Sequence, residues 1–325
     1  MGDMPDMQNT LDSKRILYID ADTILFSSAA KEDIRKCLVT NTTNGKTRMF
    51  ESKTAFNNWF IEKSVYDKSV YTFHTEWELV GQPAFAFKSV RDKIESVVEA
   101  AGCDDFRVCI QGEGNYRYSY NSKYVDYKGQ REGKPTLYHD TYDYAKRKYK
   151  DKCIVVNGEE VDDYICKLSW QHWNENSSIS THPIVIAYVD KDLQQNCVGP
   201  MLNYFHKEDG IVWNSREKQY KGFWGSVLTG DAADNIPGIV SLGPDTKKRY
   251  GIKSGGCGKI GAARILCTAE SEKECCERVI AAYKESWPED YMERLQDMCF
   301  FLWLRREENE MFSLNKYLDK LQIIR

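Results

Sequence analysis

The chain has 325 residues, 42% of them apolar, and its 45 Lys and Arg against 49 Asp and Glu leave a net charge of −4. That is enough for one large domain or two modest ones, and no apolar stretch approaches the roughly 20 residues a bilayer-spanning helix needs. The polar, acidic start MGDMPDMQNT lacks the basic-then-apolar order of a signal peptide, and eleven irregularly spaced cysteines without a C-x-x-C pair lack zinc-site spacing, so the expectation is reduced thiols in a cytoplasm.

In chain order, residues 15–30 read as strand then helix, with ILYI closing on Asp20. Helices are expected at 54–64 and 85–101, and Phe106 to Ile110 as a second strand. The segment GEGNYRYSYNSKYVDYKGQREGKP then breaks periodicity with glycine, asparagine and charge, which predicts an exposed, mobile stretch. A helix around 138–150, the short strand CIVV, a helix from near Glu159 to Trp173 and a strand from Ile184 to Val189 follow. NYFHKEDGIVWNS reads as a hairpin turning at Asp209-Gly210. Residues 221–230 look helical, the glycine-rich tract from Gly230 to Gly261 should hold turns and short helices, and further helices are expected near 270–285 and 289–305. The alternation predicts an α/β half, residues 1–215, followed by a helical half, residues 216–325.

Acidic residues cluster where this layout places strand and helix ends. Asp20 and Asp190 each close a buried-strand pattern, the position at which an open α/β sheet binds ligands. Asp192 follows one turn later. Glu160, Asp162 and Asp163 sit at a helix start, and Asp231 and Asp234 lie in the turn-rich TGDAADNIPGI. Carboxylates gathered in one place repel unless cations neutralise them, and hard oxygen ligands suit Mg²⁺ or Mn²⁺. Close acidic pairs also arise by chance on solvated faces, so the expectation rests on all four clusters together.

Basic residues are unevenly spread. Residues 114–152 hold ten Lys or Arg, five acids and nine tyrosines, and residues 242–266 hold six Lys or Arg against one acid. Such stretches in an acidic chain suit a phosphate backbone. In GGCGKIGAARIL, a glycine turn opens a helix whose amides can hold a phosphate without reading a base.

Taken in order, ILYIDADTILF, GNYRYSYNSKYVDYKGQREGKP, GEEVDDYI, VDKDLQQ, GDAADNIPGI and GCGKIGAARIL resemble the 5′-3′ exonuclease and flap endonuclease family, particularly its bacteriophage members. The resemblance runs from about Arg15 to Leu266. It implies a PIN-like nuclease core, with a mostly parallel central sheet flanked by helices, a helical arch over about 114–150 and a C-terminal helix-turn-helix region. It also implies a two-metal nuclease acting from 5′ ends on duplex, nicked or flapped DNA, or on an RNA–DNA hybrid. Its setting would be phage-type replication or host DNA degradation in a bacterial cytoplasm, alongside replication proteins. The eight acids Asp20, Glu160, Asp162, Asp163, Asp190, Asp192, Asp231 and Asp234 match the family's metal ligands. Lys128 and Arg131 fall on basic positions of the arch, beside Tyr127 as a DNA-binding residue, and Arg117 on the basic position preceding it; the resemblance makes all three basic residues catalytic candidates. Gly256, Gly258, Lys259 and Gly261 fall in the turn that grips DNA, in some members through K⁺.

The sequence departs from the family pattern in two places. Gln111 stands where an aspartate is common, with Glu113 as an alternative ligand, and the stretch from Ile239 to Gly256, including KKRYGIK, is longer than the family's. Two rival readings are a haloacid-dehalogenase-like phosphatase, with Asp20 as nucleophile and Asp22 as acid, and a non-catalytic DNA-binding relative.

Overall fold

A computed structural model of the chain describes residues 14–62, 67–129, 133–174 and 176–323. Its centre is a six-stranded sheet in the order β6-β5-β1-β7-β8-β9, formed by β1 (Ile16–Asp20), β5 (Asp105–Gln111), β6 (Cys153–Val156), β7 (Ile184–Tyr188), β8 (Gly199–Asn203) and β9 (Ile211–Asn214). All pairings are parallel except β8 with β9. The sequence therefore gives the fold class expected of it, an α/β sheet whose central strands are apolar on both faces; every residue of β7 is buried.

Strand alternation sorts those apolar residues into two cores. Leu17, Ile19, Val108, Ile110, Val185 and Ala187 face α1 (Asp22–Ala30), α3 (Pro83–Ala101) and α4 (Tyr138–Lys148). Cys109, Ile186 and Tyr188 face α5 (Val161–Gln171) and α6 (Lys191–Asn196). In α3, Pro83 opens the helix, Ala86, Val90, Ile94, Val97 and Ala101 repeat at helical spacing on the buried face, and Gly102 at φ +57° ends it.

Beyond β9 the chain is helical. Here α7 (Arg216–Thr229), α8 (Pro244–Tyr250), α9 (Lys259–Leu266), α10 (Glu272–Ser286), α11 (Tyr291–Leu302) and α12 (Leu314–Lys320) surround Phe223, Trp224, Tyr283 and Phe300. The helix expected to start at 221 begins earlier, because Ser215 caps it by accepting from Lys218 N. The hairpin is longer than expected. It pairs β9 with β8 and turns through a short 3-10 segment at Lys207–Asp209.

Two regions differ from expectation. Residues 33–79 build a second, antiparallel sheet, with β2 (Asp33–Asn41) between β3 (Thr47–Phe50) and β4 (Tyr71–Leu79), and α2 (Lys53–Glu62) packed over it through Phe56. Within the stretch expected to be exposed and mobile, residues 115–129 are instead anchored. Val125 is buried among the C-terminal helices, and Tyr120 and Tyr127 stack on Phe300 and Phe301 at centroid distances of 3.8 and 4.8 Å. Its glycines and charges conceal an aromatic stripe that needs a partner.

Candidate metal centre and nucleic-acid interface

The chain reverses direction across the sheet between β1 and β7, and the crevice beyond their carboxyl ends is where such sheets bind ligands. Asp20 ends β1, and Asp190 caps α6 just after β7, its Oδ1 accepting from Asp192 N at 2.9 Å. Glu160 caps α5, and Asp162 lies in that helix's first turn. Asp231 and Asp234 sit in a loop closed by reciprocal backbone bonds between Asp231 and Ile236, at 2.8 and 2.7 Å. Gly230 and Gly238 make this loop feasible. Both have positive φ, and a Cβ on either would lie 2.2–2.3 Å from the facing backbone.

These acids perturb one another. Burial and then the neighbouring Asp22 push the Asp20 carboxyl up to about 8, with Asp190 adding to the shift. Asp162 is raised well above the carboxylate range by burial and by Asp20, Asp190, Glu160 and Asp192. Asp192 is raised by burial and by Asp190, Asp231 and Asp234, and its Oδ1 is buried without a hydrogen-bond partner. Seven of the eight predicted acids thus share one electrostatic neighbourhood. Asp22 belongs to it too, and the D-A-D spacing after β1 is the signal that could have assigned it.

Basic side chains offset part of this charge. Lys191 Nζ lies 3.0 Å from Asp231, and Lys128 Nζ is bonded to Glu160 and lies 3.7 Å from Asp234. Tyr127 donates its hydroxyl to Glu160 Oε2 at 3.0 Å. Burial works to raise Glu160, but Arg117 and Lys128 outweigh it and hold the group below its ordinary value. Among the described residues, no group of three or more His, Cys, Asp or Glu is arranged to hold a metal ion.

Several predicted residues stand differently from expectation. Asp163 is fully buried. Arg117 Nη2 donates to its Oδ1 at 2.9 Å, Arg117 Nη1 bonds its Oδ2, and the Arg305 backbone N–H donates to Oδ1 at 2.9 Å. Its i, i+3 relation to Glu160 serves a capping box, in which the Glu160 side chain also accepts from the Asp163 backbone. Arg117, expected as a catalytic cation, is 1% exposed and ties Asp163 to Glu160 and to the Trp303 carbonyl in a buried clamp. The Gln111 amide accepts from Val161 N and donates to Glu159 O, holding the start of α5. Glu113 is exposed, and its backbone bonds Asn157 and Gly158. Arg131 lies outside the described residues. Arg305, which also bonds Glu159, had no sequence signal.

In the glycine tract, Gly258 caps α9 with open space where a Cβ would stand, and Lys259 and Ile260 beside it are exposed. Gly256 is needed for packing, since a Cβ would lie 2.8 Å from the Val240 carbonyl, while Gly261 packs on Ile252. Before Gly256, residues Pro244–Tyr250 form α8.

No protein-family model matches the chain. Over 139 residues it is 30% identical to a 5′-3′ exonuclease of Buchnera aphidicola subsp. Acyrthosiphon pisum, an alignment covering 39% of this chain and 46% of the relative, so the chain spans about half the length of the curated protein it matches. Solved structures with a similar course include the bacteriophage T5 flap endonuclease in a pseudo-enzyme–product complex with DNA and metal ions, at 12% identity and TM-score 0.40, covering 89% of this chain and 96% of that one. A second T5 structure, co-crystallised with metal ions, aligns at 12% identity and TM-score 0.37 over 89% and 97% of the two chains.

Proposed function

We propose that the protein is a divalent-metal-dependent 5′-3′ exonuclease or flap endonuclease that hydrolyses phosphodiester bonds of DNA, or of an RNA primer on DNA, from 5′ ends. The carrying observation is the crowd of carboxylates at the β1/β7 crevice, with Asp20, Asp162 and Asp192 all raised. A crowded, partly buried acidic cluster of this kind is stable as anions only beside added positive charge. The donor set fits Mg²⁺ or Mn²⁺ in chemistry, being all oxygen, with the Asp192 Oδ1 orphaned.

Asp20, Asp162, Asp190 and Asp192 would hold one part of a metal pair, with Glu160, Asp231 and Asp234 completing it. Such a pair, when bound, activates water and stabilises both oxygens of an in-line phosphoryl displacement. Lys128 lies on the segment beside Glu160, where it can place positive charge against a scissile phosphate. The α9 turn would hold the duplex backbone, with K⁺ as a further ligand there. We divide the chain into a nuclease half, residues 1–215, and a DNA-binding half, residues 216–325, and place its work in phage-type replication or host DNA degradation within a bacterial cytoplasm. No described helix is long and apolar enough to cross a membrane.

The test is digestion of 5′-labelled duplex, nicked and flapped DNA with and without Mg²⁺, beside phosphate release from a small phosphomonoester. Asp190→Asn should abolish cleavage and leave DNA binding within about twofold. Unchanged cleavage rejects the ligand role, and phosphate release from the monoester alone favours a phosphatase. Lys128→Ala should slow cleavage by about 10²-fold, the cost of losing one oriented transition-state contact.

A further inference from the structure

A cleft of about 490 Å³ opens at the far end of α9 from the glycine turn, lined by Arg249, Tyr250, Arg264, Cys267, Thr268 and Arg278. Three of the six are arginines and none is acidic. Arg249 lies in the last turn of α8, and its guanidinium lies 5.6 Å from the Tyr250 ring. Arg264 is bonded to the Gly251 carbonyl, and Arg278 donates to Ile265 O at 2.7 Å and Thr268 Oγ1 at 2.8 Å while pairing with Glu274. Helix capping accounts for part of this arrangement. Among the described residues it leaves most of the five donors of Arg264, and all those of Arg249, without a hydrogen-bond acceptor in the protein, and gives no reason for the basic end of α8 to meet the other two.

We propose that Arg249, Arg264 and Arg278 form a phosphate-binding site for a second stretch of the duplex whose first stretch rests on the α9 turn. This rests on the DNA-binding part of the reading above. Guanidinium forks match phosphate oxygens in pairs, and Thr268 adds a hydroxyl. The eight residues of α9 separate the two sites by about 12 Å at 1.5 Å per residue, comparable to the width of a B-DNA major groove. With Arg249 on it, α8 thereby lengthens the footprint on duplex.

The test is duplex binding by anisotropy, with Ca²⁺ in place of Mg²⁺, from 50 to 200 mM KCl. It compares the wild type, Arg249→Gln, Arg278→Gln and, for the turn itself, Lys259→Gln. Arg249 is exposed and, among the described residues, makes only the ring contact, so its replacement should leave the fold intact, which circular dichroism checks. Each arginine variant should bind more weakly at low salt and lose about 0.9 from the slope of log K against log salt, so that it sheds about threefold less affinity than wild type across that range. Equal slopes for Arg249→Gln and wild type overturn the proposal. So does Arg249-dependent binding of inorganic pyrophosphate with an unchanged duplex slope, which would assign the cleft to a free phosphate compound. Absence of any duplex binding by wild type overturns this site together with the DNA reading, whereas binding without cleavage overturns only the nuclease.

Discussion

Asp20 makes the site's electrostatic cost measurable without any substrate. Burial, then Asp22, move its carboxyl from 3.8 to about 8. A carboxyl whose folded pKa is raised binds more protons folded than unfolded, so its contribution to stability is fully present below the unfolded value and is lost as pH rises through the folded one. The window is therefore about pH 4 to 8, and Asp162 and Asp192 act in the same direction. Metal-free protein in EDTA should lose thermal stability across pH 5 to 8. Asp20→Asn should flatten that decline and melt at least about 2 °C higher at pH 8, roughly 1 kcal/mol for a chain of this size. Mg²⁺ should raise the melting temperature of the wild type more than that of the variant. Parallel pH profiles for the two proteins would remove the claim that this aspartate is held against its charge.

Among the elements, the segment from Asn115 to Gly129 depends most on one side chain. Arg117 joins it to α5 through Asp163 and to the end of α11 through the Trp303 carbonyl. Arg117→Leu leaves Asp163 a buried, uncompensated charge, and urea unfolding should show a loss of about 3–5 kcal/mol. Adding Asp163→Leu should recover part of it, since replacing both partners of a buried pair costs less than removing one. A double variant no more stable than the single would mean that Asp163 is neutralised by other groups. This clamp could not be read from the residues alone. The pairing spans residues far apart in sequence, and a glycine-rich, charged stretch gives no period from which to infer a packed face. The central sheet was legible because ILYI and IVIAYV are continuous apolar runs of strand length. The small sheet carried a signal of its own: Tyr71, Phe73, Thr75, Trp77 and Leu79 alternate with Thr72, His74, Glu76 and Glu78 along β4. Half-exposed strands bury few residues, only Cys37 and Val39 in β2, so the pattern is faint beside the helices around it. At the site, strand ends put Asp20 and Asp190 at the crevice, whereas Asp163 turns to Arg117, because a capping box and a metal-ligand pair share the same spacing.

The whole molecule bears on the boundary expected near residue 215. Composition separates an α/β half from a helical half, but residues 302–308 return to the sheet side. Leu304 is buried in the core formed by Ile165, Ile186 and Met201, and its N–H donates to Asn196 Oδ1 at 3.2 Å. Asn196 Nδ2 reaches the Leu302 carbonyl at 3.1 Å, and Lys167 pairs with Glu308 at 2.6 Å. With Arg305 on Glu159 and Asp163, these contacts make the first half's core incomplete without the last helices. A fragment of residues 1–215 should therefore fail to fold, and the intact chain should unfold in one cooperative step. Native-state hydrogen exchange provides the measurement, because amides of β1 and β7 should exchange with the same opening free energy as those of α11. Leu304→Ala, a core truncation worth about 2–5 kcal/mol, should lower both sets together. If the helical amides fall while those of the sheet hold, the two halves are separate folding units and the compositional boundary is a structural one.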